Sequence, residues 1–209
     1  MKAIIFDFDG TLADTLPVCF YAFQTVFKEF DRINVTTDEV KAMFGPSETG
    51  IIKENLKHPD HDKAIELYYE SYDERHGELV RDNGDINELL LFLKKEGYTL
   101  GIVTGKAKRS LLISLEHLNM NDLFDVIITG DDVNSPKPHP EGLNKALEQL
   151  GVKNTETVFL GDSDADISAG KQANVHTVGV KWLPHYQTPE FSVKPDHIIN
   201  SIDEFKQSL

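Results

Sequence analysis

Two aspartates one residue apart, Asp7 and Asp9 in Asp7-Phe8-Asp9-Gly10-Thr11, directly follow the apolar run Ala3-Ile4-Ile5-Phe6. Neighbouring carboxylates repel each other and resist burial, so a buried strand ends on two of them most sensibly where a cation or a proton transfer uses them. An Asx turn closing the strand is the bland alternative for this segment taken alone. Three later segments also follow short apolar runs: Thr104-Gly105, Lys137 within Ser135-Pro136-Lys137-Pro138-His139-Pro140, and Gly161-Asp162-Ser163-Asp164-Ala165-Asp166. Together they supply the parts of a phosphoryl-transfer site, where catalysis is mostly positioning and charge neutralisation. Asp7 can serve as a carboxylate nucleophile. Asp9, predicted to lie on the same side of an extended strand, can protonate a leaving oxygen and then deprotonate water. Oxygens of Asp7, the Asp9 backbone carbonyl and Asp162 suit Mg²⁺. The Thr104 hydroxyl and the backbone N–H groups around Gly105 can bind phosphate oxygens, and Lys137 can offset the charge that develops in transfer. A loop lysine is usually solvated, but three prolines restrict the backbone that carries this one.

Such a site needs strands that end on one rim. The alternation from residue 85 onward predicts them: Tyr98–Val103, Val126–Ile128, Thr157–Leu160, Thr177–Val180 and a last short strand His197–Ile199, with apolar-striped helices between. A capping box from Asp85 to Glu88 opens the first of these helices, which ends at Gly97. Repeated helix–strand alternation predicts an α/β fold, a Rossmann-like, doubly wound and mainly parallel sheet, in which ligands bind outside the carboxyl ends of the strands. Between residues 15 and 83 the pattern is helical throughout, with the stripe Leu16, Phe20, Phe23, Phe27, Phe30 and a capping box from Thr36 to Glu39. The domain expectation is therefore a core made of residues 1–14 and 84–209, and an all-helical cap of residues 15–83 inserted after the first strand. The breaker-rich turn Phe44-Gly45-Pro46-Ser47-Glu48 can drop onto the site or simply join two helices.

Composition narrows the partners. The chain has 209 residues, 40% hydrophobic and 27% charged, with a formal net charge of −14, which repels nucleic acid and anionic membranes. The densest basic stretch, Lys106-Ala107-Lys108-Arg109, is expected to be a solvated first helical turn. A single cysteine, Cys19, excludes an internal disulfide and suits a reducing compartment; its place on an apolar helical stripe predicts packing. No run of about 18 apolar residues is present. The expectation is a soluble, cytoplasmic protein, monomer or homodimer, that takes a small phosphorylated molecule and neither nucleic acid nor membrane.

Several weaker signals fail on spacing. Gly101 to Ala107 has three residues between its glycines where a P-loop has four, and it ends in Ala. The run Asp162-x-Asp164-x-Asp166 puts Ile167 and Ala173 where a calcium loop needs Gly and Glu. The eight histidines show no paired metal spacing, and Trp182 is expected to pack.

The first segment, Thr104 at a strand end, Lys137-Pro138, and Gly161-Asp162-Ser163-x-x-Asp166 together resemble, in order and spacing, the four motifs of the haloacid dehalogenase-like superfamily. The resemblance covers the whole chain and is closest to the phosphatase branch that includes phosphoglycolate phosphatase, pyrophosphatase-like and β-phosphoglucomutase relatives. It implies Asp7 as nucleophile, Asp9 as general acid/base, Asp162 as metal ligand, Asp166 as a supporting carboxylate, and Thr104 and Lys137 as phosphate binders, with Mg²⁺ as cofactor. Gly105 departs from the Asn that many relatives carry there, which leaves substrate identity open. The acid at Asp9 argues against true dehalogenation. Lys53 invites comparison with the imine-forming cap lysine of phosphonoacetaldehyde hydrolases, but a solvated helix lysine is expected. The function implied is a Mg²⁺-dependent phosphatase resembling phosphoglycolate phosphatase. The alternatives are a phosphomutase of the β-phosphoglucomutase type, an inorganic pyrophosphatase, or a non-catalytic metal-binding interaction protein.

Overall fold

The computed structural model describes residues 1–81 and 84–209. Six parallel strands form one sheet: β1 (Ala3–Phe6), β2 (Thr99–Val103), β3 (Val126–Ile128), β4 (Thr157–Gly161), β5 (His176–Val180) and β6 (His197–Ile199). Their spatial order is β3-β2-β1-β4-β5-β6, so the first strand is central, with Ile4 opposite Leu100 on one side and Val158 on the other. A strand covered on both faces has no solvent side to mark, which is why Ala3-Ile4-Ile5-Phe6 is apolar throughout and fully buried. Its pleat still alternates. Ile4 and Phe6 enter the larger core on one face, and Ile5 joins Val103, Val126, Leu143, Phe159 and Ala169 on the other. The expected α/β class and Rossmann-like parallel sheet are what the chain adopts.

The helices between β1 and β2 are α1 (Leu16–Asp31), α2 (Thr37–Ala42), α3 (Glu48–Asn55), α4 (His61–Leu79) and α5 (Gly84–Lys95). No strand interrupts 15–83 among the described residues, and Asn83, where the expected cap ends, lies outside them. The α1 stripe is buried against α4, where the Phe23 and Tyr68 rings meet at 4.6 Å. The Thr36–Glu39 capping box forms: the Thr36 hydroxyl accepts from the Glu39 N–H, and the Glu39 carboxylate accepts from the Thr36 N–H at 2.7 Å. The Asp85 box does not open α5, which already contains Gly84 and Asp85; Asp85 instead brings negative charge to the helix N-terminus. After β2 come α6 (Lys108–His117), α7 (Glu141–Leu150), α8 (Asp164–Gln172) and α9 (Ile202–Ser208). Trp182 packs as expected, donating to the Thr11 carbonyl at 2.7 Å and meeting Phe205 edge-on.

His76 of α4 is buried against α6, with Nε2 3.0 Å from the Ser114 hydroxyl and its ring stacked on His117. Burial, with the neighbouring His117 charge, pulls it down to about 4. A histidine held neutral in the fold but not in the unfolded chain stabilises above its ordinary value of 6.5, and that stability drains away as pH falls toward 4. The wild type is therefore expected to lose on the order of 3 kcal/mol at most through this group between pH 7 and pH 4. Urea unfolding of His76→Gln at both pH values is expected to show a smaller acid loss than wild type; an equal loss would show that His76 does not contribute.

Candidate active site

The carboxyl ends of four adjacent strands converge on one cavity of about 280 Å³, lined by Asp7, Asp9, Thr104, Gly105, Lys137 and Ser163 among others. Asp7 continues the ladder by one bond, its N–H donating to the Leu160 carbonyl at 2.8 Å, and the chain then leaves the sheet. Asp9 is not on an extended strand. The Phe8 carbonyl accepts from Thr11, Leu12 and Ala13, and Gly10 turns with φ +81°. Both aspartates reach the same cavity because of this tight turn and not because of strand alternation. Gly10 is required twice over: its positive φ disfavours any side chain, and a Cβ there would lie 2.3 Å from Asp162 Oδ2.

Asp7, Asp162 and Asp166 are buried and bring carboxylate oxygens within 4.8 Å of one another. Lys137 enters between them, with Nζ 2.8 Å from Asp7 Oδ1, 2.5 Å from Asp166 Oδ1 and 3.4 Å from the Val103 carbonyl. The proline-flanked lysine is thus aimed inward. Burial works against its charge, but Asp166 and Asp7 outweigh that and hold the ammonium above its usual range. One lysine does not balance three carboxylates. Burial first, then Asp166, pushes the Asp7 carboxyl up to about 7 against the pull of Lys137. Burial, Asp166 and Asp7 likewise raise Asp162 well above the ordinary carboxylate range.

The remaining bonds sort the three acids. Asp166 is saturated: Oδ2 accepts from the Ser163 N–H at 3.0 Å and the Ser163 hydroxyl at 2.6 Å, a capping box at the start of α8, while Oδ1 takes Lys137. Gly161 lets it approach, since a Cβ there would sit 2.3 Å from the Asp166 Cβ. Asp162 accepts the Gln187 N–H at 2.6 Å and a long contact from Thr11 at 3.4 Å. Asp7 Oδ1, although close to Lys137 Nζ, has no well-directed hydrogen bond. A buried carboxylate oxygen in that condition, beside a second undersaturated acid, fits a hard cation.

Asp9 faces a different set of groups. Its Oδ1 takes the Thr15 hydroxyl and lies 3.2 Å from Lys106 Nζ. Lys106 corrects the expectation of a solvated turn: its side chain is 1% exposed. Nζ also approaches Glu48 Oε1 at 3.3 Å and Cys19 Sγ at 3.5 Å, and lies over the Tyr72 ring at 4.4 Å. Burial opposes the Lys106 charge, yet these neighbours, Asp9 foremost, keep it well above the usual range. The chain enters α6 with Lys106 turned inward while Arg109 stays outside, paired with Glu66 of α4 at 2.6 and 2.9 Å. Glu48, from the Gly45-Pro46 turn, accepts the Ala107 N–H at 2.5 Å and the Ser110 hydroxyl. That turn does drop onto the cavity, which Phe44, Gly45, Pro46 and Glu48 all line. A side chain at position 105 would begin 3.9 Å from the Gly45 carbonyl. The Thr104 hydroxyl accepts from the Lys106 N–H at 3.2 Å and borders the cavity beside Gly105. Lys53 is exposed, as expected of a solvated helix lysine, and buried Cys19 packs while also lining the cavity.

Lys106, Glu48 and Gln187 were not legible as site residues. Glu48 carried a signal only as an acid in a breaker turn, and Gln187 contributes a backbone N–H, which no side-chain pattern reveals.

A family model described as haloacid dehalogenase-like hydrolase matches residues 4–180. A pyrophosphatase, PpaX, of Bacillus mycoides (strain KBAB4) is 33% identical over 207 residues, covering 98% of this chain and 94% of that protein. The crystal structure of a predicted phosphoglycolate phosphatase from Haemophilus somnus 129pt superposes with a TM-score of 0.86 at 25% identity, covering 100% of this chain and 98% of the other. CbbY from Rhodobacter sphaeroides, solved in complex with phosphate, gives a TM-score of 0.85 at 25% identity, covering 98% and 96%.

Proposed function

This chain belongs to the haloacid dehalogenase-like hydrolase family, and from that premise we propose that it is a Mg²⁺-dependent phosphatase of a small phosphorylated metabolite, working through an aspartyl-phosphate on Asp7. The observation that carries the reading is the poorly satisfied Asp7 carboxylate, held beside Lys137 and open to the cavity.

In this mechanism Asp7 attacks phosphorus, the bond from phosphorus to the leaving oxygen breaks, and Asp9 delivers a proton to that oxygen. Asp9 then takes a proton from water as the water attacks the acyl phosphate, which releases phosphate and restores Asp7. Thr15 and Lys106 both hold Oδ1 of Asp9, which fixes its carboxylate and leaves Oδ2 for the proton. Thr104 and the N–H groups around Gly105 orient the phosphate, and Lys137 offsets its charge. Asp166 keeps Lys137 in place through their 2.5 Å contact. Asp7, Asp162 and the Asp9 backbone carbonyl would hold Mg²⁺, and Asp166, already saturated, would support them. When bound, the ion neutralises phosphate charge and relieves the repulsion among the acids. Residues 15–83 act as a cap on a core of residues 1–14 and 84–209, with the Gly45-Pro46 turn closing the cavity and excluding water during transfer.

Phosphate release from p-nitrophenyl phosphate tests the reading. Activity is expected with Mg²⁺, lost in excess EDTA and recovered on adding Mg²⁺ back. Full activity in EDTA would remove the metal from the mechanism. Conversion of a sugar phosphate to its isomer without free phosphate would make the protein a mutase.

A further inference from the structure

The cavity is lined by two chemically distinct sets of groups. Asp7, Thr104 and Lys137, from the strand ends, are the groups assigned to the reacting phosphoryl group. Leu16, Cys19, Phe23, Phe44, Pro46 and Ile51, from α1, the Gly45-Pro46 turn and α3, present carbon or sulfur to the leaving group, with Ser163 and Gln187 as the neutral polar side chains beside them. The charged side chains lining the cavity are Asp7, Asp9, Glu48, Lys106 and Lys137 among the described residues. Both lysines are already engaged. Lys137 is held by Asp7 and Asp166, and Lys106 stands between Asp9 and Glu48 with Cys19 and the Tyr72 ring closing around it. Among the described residues, neither Arg nor His lines the space. The one charged group contributed by the Gly45-Pro46 turn is the Glu48 carboxylate, 5% exposed.

A second anionic group on the substrate would therefore be desolvated against apolar walls and a like charge. With Lys137 and the proposed Mg²⁺ committed to the reacting phosphoryl group, it would find a side-chain cation only by displacing Lys106 from two carboxylates. A neutral leaving group has none of these costs and gains from the apolar wall. From this distribution of charge we infer that the substrate is a phosphate monoester of a small uncharged alcohol, and that a diphosphate, or a monoester whose alcohol carries a carboxylate, is rejected. The inference rests on the phosphatase reading above and sets this chain apart from its relatives named for pyrophosphate and phosphoglycolate. Glu48 is the residue that enforces the discrimination, by repelling a second anion and by occupying the lysine such an anion would need.

A shape-matched pair tests this. Isobutyl phosphate and phosphoglycolate differ chiefly in replacing two methyl groups by two carboxylate oxygens. With Mg²⁺ present, kcat/KM for isobutyl phosphate is expected to exceed that for phosphoglycolate by about 30-fold or more, and to exceed that for pyrophosphate. In Glu48→Gln the isobutyl-to-phosphoglycolate ratio is expected to shrink by about 5-fold or more. Equal or better turnover of phosphoglycolate or pyrophosphate by the wild type would overturn the inference, whatever Glu48→Gln does. Hydrolysis of p-nitrophenyl phosphate, lost in Asp7→Asn, is the control on the phosphatase reading itself. If that control and all three substrates are inert with Mg²⁺, the phosphatase reading fails and takes the inference with it.

Discussion

Replacing Asp7 with asparagine is expected to lower kcat for p-nitrophenyl phosphate hydrolysis by about 10⁴-fold or more, because in the proposed mechanism an amide oxygen cannot form the acyl phosphate on which both half-reactions depend. The loss is expected without unfolding. Asn fills the same volume, and it removes one of three carboxylates that crowd a single lysine, a buried acid that desolvation first, and then Asp166, push up to about 7. Urea unfolding without metal is therefore expected to give a stability for Asp7→Asn equal to or above that of the wild type. The pair of measurements matters more than either one: an inactive variant that is also unstable would say only that the site is structural. Residual activity above about a tenth of wild type would rule out Asp7 as nucleophile.

Replacing Lys137 with methionine is expected to damage both stability and turnover. The side chain is only 12% exposed, and its removal leaves the buried Asp7 and Asp166 facing each other without their common counter-charge. Breaking a buried ion pair from one side costs about 3–5 kcal/mol, since the abandoned charge stays desolvated. Turnover is expected to fall by about 10²- to 10³-fold with loss of the cation that meets the developing charge. Metal separates these effects. If Mg²⁺ occupies the acidic cluster, millimolar Mg²⁺ restores part of the lost stability of Lys137→Met in urea unfolding, because a cation returns to the carboxylates. It does not restore kcat, because the phosphate contact is still missing. A stability of Lys137→Met that is indifferent to Mg²⁺ would argue that the ion is not held by these acids.

The sequence made the strands and the acidic strand ends legible for a physical reason. Fully buried parallel strands are short apolar runs, and the polar residues that end them stand out against that background, as Asp7 and Asp162 do. The helices were equally readable where one face is buried, as in α1. Lys106 was not, because a lysine is normally solvated and nothing local distinguishes one that is turned inward. Its environment is assembled from Asp9, Cys19, Glu48 and Tyr72, which lie on four separate segments. The bond from the Gln187 N–H to Asp162 is invisible for a related reason, as any residue but proline could donate it. The expectation for Asp9 reached the right place by the wrong route: the cavity was correct, but the turn at Gly10, and not the pleat, delivers the side chain. Binary patterns report what an element buries, whereas a polar network closed by distant segments leaves no periodic trace.

The central position of β1 also sets when chemistry becomes available to the growing chain. Ile4 pairs with Leu100 and with Val158, so the strand that leads into Asp7 stays without its second neighbour until most of the protein has been synthesised. Asp162 and Asp166 emerge later still, just beyond β4. Because domains acquire their long-range pairings only once the distant partners exist, a nascent or prematurely released chain ending before β4 would carry Asp7 and Asp9 with Lys106 and Lys137 but without Asp162 and Asp166, the two acids that complete the buried cluster. On the proposed mechanism, fragments made by interrupted translation before β4 are therefore expected to be inert.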